Sequence, residues 1–219
     1  MKNYVVVIGS KPNSILPDIN PVRVYTANSA ASLSSKYASA EKICIAGGNE
    51  IKKENIFNAV YSAQPKRLVL RGGGDSVRNL FNDLVIQLEI LEWKLQFQYQ
   101  KKFFSAFYIW FYDFTLMTNL SPKKCLAYLL KFQKKPRPQG VSTGMFAILR
   151  ALDENPYSTI IVCGIGLMGG GHFDGIGKMS QGRGLVDFKL FKLLSAKHKQ
   201  RILTTDDDFS RLGGVLKFE

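Results

Sequence analysis

The sequence predicts an α/β fold: a single domain with a mainly parallel sheet flanked by helices. Short apolar runs of strand length alternate with longer segments of helical spacing. The first four apolar runs each stop at glycine or a small polar residue, the punctuation expected at strand ends. No internal repeat and no clear boundary divides the 219 residues, a length that suits one domain with a sizeable core.

In chain order, Tyr4–Ile8 reads as the first strand and ends in Gly9-Ser10-Lys11-Pro12-Asn13. Val22–Thr26 is the second, followed by Ala27-Asn28-Ser29. Lys42–Ala46 is the third, ended by Gly47-Gly48-Asn49, and Arg67–Leu70 the fourth, ended by Arg71-Gly72-Gly73-Gly74-Asp75. Leu80, Leu84, Leu88 and Leu91 then stand near helical spacing and predict a helix from Ser76 to about Gln100. Lys101 to Met117 is rich in aromatics. Ser121 and Pro122 supply the cap and first position of a helix running to about Phe132. Lys134-Lys135-Pro136-Arg137-Pro138 reads as an extended basic linker. Residues 76–135 together form an aromatic and basic helical insertion. A helix opening at Ser142-Thr143-Gly144 follows, then a strand at Thr159–Cys163, a Gly-rich loop, a helix from Leu185 to about Lys197 and a strand from Arg201 to Thr205.

Apolar residues make up 46% and charged residues 21%, the balance of an ordinary soluble globular chain. The net charge of +13 is large and implies an acidic partner: a nucleic acid, an anionic membrane surface or a negatively charged substrate. Cys44, Cys125 and Cys163 are widely spaced and odd in number. They read as free thiols of a reducing compartment, with Cys44 and Cys163 buried in strands. Tyr4–Ile8 is too short and too soon broken for a signal core. Phe103 to Met117 falls short of a membrane span and contains Asp113. The expected location is cytoplasmic, with peripheral contact at the inner face of the cytoplasmic membrane open. So is the choice between core packing, stacking on nucleic acid and lipid docking for residues 101–117.

The most informative motif is Ser142-Thr143-Gly144. Ser142 or Thr143 can cap the helix that follows, and Gly144 leaves its first turn open. Free amides at such a turn attract phosphate or carboxylate. Gly9-Ser10-Lys11-Pro12-Asn13 is either an ordinary strand-to-helix turn or a cradle for a nucleotide. Asn28 reads as a turn-capping residue or as an amide that holds a base or sugar. Gly164-Ile165-Gly166-Leu167-Met168-Gly169 formally matches the dinucleotide fingerprint. The residues after it, Gly170 to Gly175, cannot open the helix that the fingerprint needs, and a flexible loop or lid fits better. His172 on that loop is either an incidental surface residue or a general base. His198, at a basic helix end, reads as solvated. Asp206-Asp207-Asp208 reads as a turn or helix start, since three adjacent carboxylates cannot all face one ion.

The order of these motifs resembles the bacterial sialyltransferases that use CMP-sialic acid, and the related CMP-dependent transferases for Kdo (3-deoxy-manno-octulosonic acid). The resemblance is densest from about Gln139 to Gly166. It implies a Rossmann-like domain of the GT-A sialyltransferase type and a metal-independent transfer with no cofactor beyond the CMP-sugar co-substrate. It further implies nucleotide and donor contacts at Gly9, Ser10, Lys11, Pro12, Asn13, Asn28, Ser142, Thr143, Gly144 and Gly164, and a base at His172. The acceptor so implied is an anionic glycan or glycolipid, such as lipooligosaccharide or capsule. Leu167-Met168 stand where those enzymes carry phosphate-stabilising tyrosines, and Lys11 is a cation available in their place. Two rivals stay open: an NAD(P)-dependent oxidoreductase, and a basic nucleic-acid-binding domain.

Overall fold

Val5, Val6, Val7 and Ile8 expose no surface at all. A strand buried on both faces needs a layer of structure on each side. The structure, a computed structural model, describes residues 3–72, 75–81, 85–134, 138, 140–168 and 181–219. Its strands are β1 (Tyr4–Ile8), β2 (Arg23–Ala27), β3 (Glu41–Gly47), β4 (Arg67–Arg71), β5 (Gln87–Leu91), β6 (Thr159–Cys163), β7 (Ile202–Thr204) and β8 (Leu216–Lys217). They form one sheet in the order β5-β4-β3-β2-β1-β6-β7-β8. Every adjacent pair is parallel. The predicted α/β class with a parallel sheet is therefore what the chain adopts, in the Rossmann-like manner.

The helices are α1 (Glu54–Ala63), α2 (Trp93–Gln100), α3 (Ala106–Thr118), α4 (Pro122–Lys134), α5 (Thr143–Glu154), α6 (Gln181–Lys192), α7 (Ala196–Lys199) and α8 (Asp207–Gly213). Alternate residues of each strand serve opposite layers. Val5, Val7, Tyr25, Ile43, Ile45, Ile160 and Val162 pack with α5, α6 and α8. Val6, Ile8, Val24, Ile161 and Cys163 face the 3₁₀ helix Asn28–Lys36, and Cys44, Leu68 and Leu70 face α1. Cys44 and Cys163 are buried free thiols, as expected, and Cys125 is free and half-buried.

Two expectations need correction, and one element was not expected. The helix predicted from Ser76 to Gln100 is a 3₁₀ helix (Asp75–Phe81), a strand (β5) and then α2. Leu88 and Ile90 pack on the α1 side while Leu91 joins the opposite core. A separation of three puts Leu88 and Leu91 on one face of a helix but on opposite faces of a strand, so the leucine periodicity alone misled. The helix predicted from Leu185 to Lys197 instead ends at Lys192, and Ser195 caps the separate α7 by accepting from the His198 amide. The two-residue edge strand β8 has no apolar run to announce it. The predicted linker at 134–138 and the glycine loop at 169–180 lie wholly or largely outside the described residues.

Candidate functional site

The sheet order runs outward from β1 in both directions, so the connections reverse between β1 and β6. In open parallel sheets the crevice beyond the carboxyl ends of two such strands is where ligands bind. Gly9 follows β1, and its amide donates to the Cys163 carbonyl at 2.8 Å. Gly164 follows β6 at φ +68°, and its carbonyl accepts from the Lys11 amide at 2.9 Å. Buried Asp206 accepts from the Gly164 amide at 2.7 Å. Gly144 adjoins this point, since a Cβ on it would meet Ile165 Cγ2 at 3.4 Å. The first-strand turn, the Gly164 turn and the Ser142-Thr143-Gly144 motif thus share one edge of the sheet.

The chain entering α5 is held from several sides. Gln100 of α2 accepts from the Val141 amide at 2.9 Å. Arg71, the last residue of β4, donates to the Val141 carbonyl at 2.8 Å and stacks over Phe146 at 4.6 Å. Arg183 of α6 donates to the Gly140 carbonyl and, at 2.9 Å, to Asp113. Asp187 of α6 accepts from the Ser142 amide at 2.8 Å. Gly140 has φ +63°, and a Cβ there would overlap the Gln100 carboxamide. With the turn fixed, the Ser142 hydroxyl accepts from the Met145 amide at 3.2 Å and caps α5. The amides of Thr143 and Gly144 remain as first-turn donors without intrahelical acceptors. Both residues are half-buried.

Burial controls the electrostatics. It pushes the fully buried Asp187 carboxyl up to about 6, against the pull of the Ser142 hydrogen bond, Arg183 and Arg71. Asp187 Oδ2 has no hydrogen-bond partner among the described residues. Burial also pushes the Arg71 guanidinium down to about 9; neighbouring Arg183 adds to this and Asp187 opposes it. Two guanidiniums and two carboxyls, Asp187 and the Arg183-paired Asp113, therefore stand together behind the mouth of α5.

Beside the Gly164 turn lies a cavity of about 370 Å³. Lys11 and Arg211 bring positive charge to it, Asp208 negative charge, and Ile165, Leu167 and Phe209 an apolar wall. Lys11 Nζ lies 3.5 Å from Asp208 and 3.9 Å from Asp206. Ile165 joins this cavity to the α5 mouth.

The other predicted residues fall as follows. Ser10 and Pro12 are half-buried in the turn after β1, and Asn13 is exposed at φ +57°. Asn28, at φ +53°, accepts from the Gly47 amide at 3.2 Å. It ties the ends of β2 and β3 together as a turn-capping residue, one strand over from Gly9. His172 lies outside the described residues. His198 is half-buried and packs on Phe103 at 5.2 Å. Asp206 is the residue before α8 and braces Gly164, while Asp207 and Asp208 sit exposed in the first turn. Residues 164–168 are not helical, so the dinucleotide fingerprint lacks its helix over that stretch. Among the described residues no three His, Cys, Asp or Glu side chains gather as metal ligands.

Sequence reasoning missed Arg71, Gln100, Arg183 and Asp187, and it read Asp206 as part of a turn or helix start without its contact to Gly164. The available signal was polarity out of place: Asp187 interrupts the apolar Leu185–Phe188 run, and Arg71 ends an apolar strand. Comparison with family models, with curated proteins and with solved structures finds no match to this chain.

Proposed function

We propose that this chain is a glycosyltransferase. It moves an acidic keto-sugar, sialic acid or Kdo, from its CMP ester to a hydroxyl of an anionic surface glycan such as lipooligosaccharide or capsule. One observation carries the reading: a braced helix mouth with two open amides stands at the switch-point edge, beside the glycine turns of β1 and β6. Such a mouth suits the phosphate of a nucleotide donor.

In the reaction the acceptor oxygen bonds to the anomeric carbon, and the bond from that carbon to the CMP phosphate oxygen breaks. The electron pair leaves with CMP, whose phosphate gains charge as the sugar becomes oxocarbenium-like. Thr143 and Gly144 amides, already oriented, bind that growing charge more tightly than the ground state. Lys11 sits across the Gly164 turn and adds a cation. The acceptor proton passes to His172, the base that the sialyltransferase resemblance assigns. The CMP-sugar is the co-substrate, and the chemistry is that of a cytoplasmic enzyme meeting activated sugar.

The test is CMP release from CMP-sialic acid and from freshly made CMP-Kdo, with and without lipooligosaccharide. Acceptor-dependent release with either donor supports the proposal. No release with any donor, alongside tight and steeply salt-dependent oligonucleotide binding, would replace it with the nucleic-acid reading.

A further inference from the structure

The structure answers whether the 101–117 block is core. One side of its helical part is, with Ile109, Tyr112, Leu116 and Met117 packed on the main core, while the other side stands clear of it. Phe107 is 66% exposed, and Tyr108, Trp110 and Phe111 also face outward. On α4, Leu126 is 60% exposed, with Leu129 and Leu130 beside it. Phe107, Trp110 and Phe111 stand at i, i+3, i+4, and so do Leu126, Leu129 and Leu130, so each helix presents one apolar stripe. The helices are joined through Tyr128, which donates to Asp113 at 2.8 Å and meets Phe114 edge-on at 5.4 Å. Among the α4 side chains that the structure describes, none is fully buried. A 13-residue helix held only by a half-buried side that includes Cys125 and Tyr128 is marginal in water without a further partner.

The charge around these stripes is of one sign. Lys101, Lys123, Lys124 and Lys131 are exposed. The single acid on either helix, Asp113, is buried and paired with Arg183. A second copy meeting this face about a two-fold axis would set lysine against lysine. Aromatics and leucines beside lysines suit the boundary between lipid headgroups and acyl chains.

We infer that α3 and α4 form a docking surface for an anionic lipid bilayer, entered by the Phe107–Phe111 and Leu126–Leu130 stripes and held by the neighbouring lysines. No helix among the described residues is long and apolar enough to cross a membrane, so the contact is peripheral. The inference does not depend on the proposed transfer reaction.

Flotation of the full chain with vesicles of phosphatidylcholine and phosphatidylglycerol, and with pure phosphatidylcholine, tests it. Binding is expected to the anionic vesicles, weakened in high salt. Two variants divide the surface: Leu126→Ser with Leu130→Ser, and Lys123→Glu with Lys124→Glu. Each should lower the partition coefficient by about tenfold or more while circular dichroism stays at the parent value. Because the lysine pair is exposed, it provides a folded test even if the leucine pair disturbs α4. Failure of the parent to float, flotation unchanged in the lysine variant, or a lipid-free dimer that the leucine variant dissolves would each overturn the inference.

Discussion

Gly9 and Gly164 meet backbone to backbone: a Cβ on Gly9 would sit 2.2 Å from the Gly164 carbonyl oxygen. That contact joins the β1 and β6 turns and sets the floor of the candidate site. Gly9→Ala should therefore cost about 1–3 kcal/mol of stability, because the obstacle is backbone that cannot swing aside. Gly214→Ala is the control. Gly214 also has positive φ (+68°), but nothing lies within 4 Å of its missing Cβ, so it carries only the left-handed penalty of about 1–2 kcal/mol. Urea denaturation of the two variants, with attention to a change in the transition slope, separates crowding from local strain.

Asp187 should make stability depend on pH. Its folded carboxyl, at about 6, lies above the unfolded value near 4. The folded state thus holds the proton longer than the unfolded chain does. Its contribution is complete below about pH 4 and is lost as pH rises through about 6. Asp187→Asn should flatten this part of the stability profile while still accepting from the Ser142 amide. A profile identical to the parent's would place the titration elsewhere.

Ser142→Ala removes the α5 cap and should cost about 1 kcal/mol. Ser142→Thr keeps a hydroxyl that can cap and should recover most of that loss. Thermal unfolding of both variants checks the cap without reference to any ligand.

His172→Ala should lower transfer by about 10²–10⁴-fold if His172 takes the acceptor proton. CMP affinity should stay at the parent level, since a base acts on the acceptor and not on the nucleotide. Turnover equal to the parent's would remove His172 from the mechanism.

How much of this was legible follows from how local each signal was. Thr159–Cys163 was read residue for residue because an unbroken β-branched run between turn residues has few other solutions. The Ser142 cap was legible for the same reason, as a polar residue directly before an apolar periodic run. What braces that cap was not. Asp187 reaches Ser142 across 45 positions and Arg71 reaches Val141 across 70. Each is a lone polar side chain whose partner exists only once the sheet has formed. The β5 strand was hidden because its neighbours on both sides satisfy a helical count. The exposure of Phe107 and Leu126 was equally out of reach, since an apolar stripe looks the same whether or not anything covers it.

The central claim is that the mouth of α5 binds a cytidylate. Gly144→Ala probes it with little disturbance, because the new methyl would lie 3.4 Å from Ile165, an ordinary contact. Alanine in place of glycine should leave the helix as stable or up to about 1 kcal/mol more so. The decisive measurement is calorimetric titration of CMP into the parent and into Gly144→Ala at equal thermal stability. The account predicts saturable binding by the parent, weakened about tenfold or more by the methyl beside the open amides. No binding by the parent, or equal affinity in both, would contradict it.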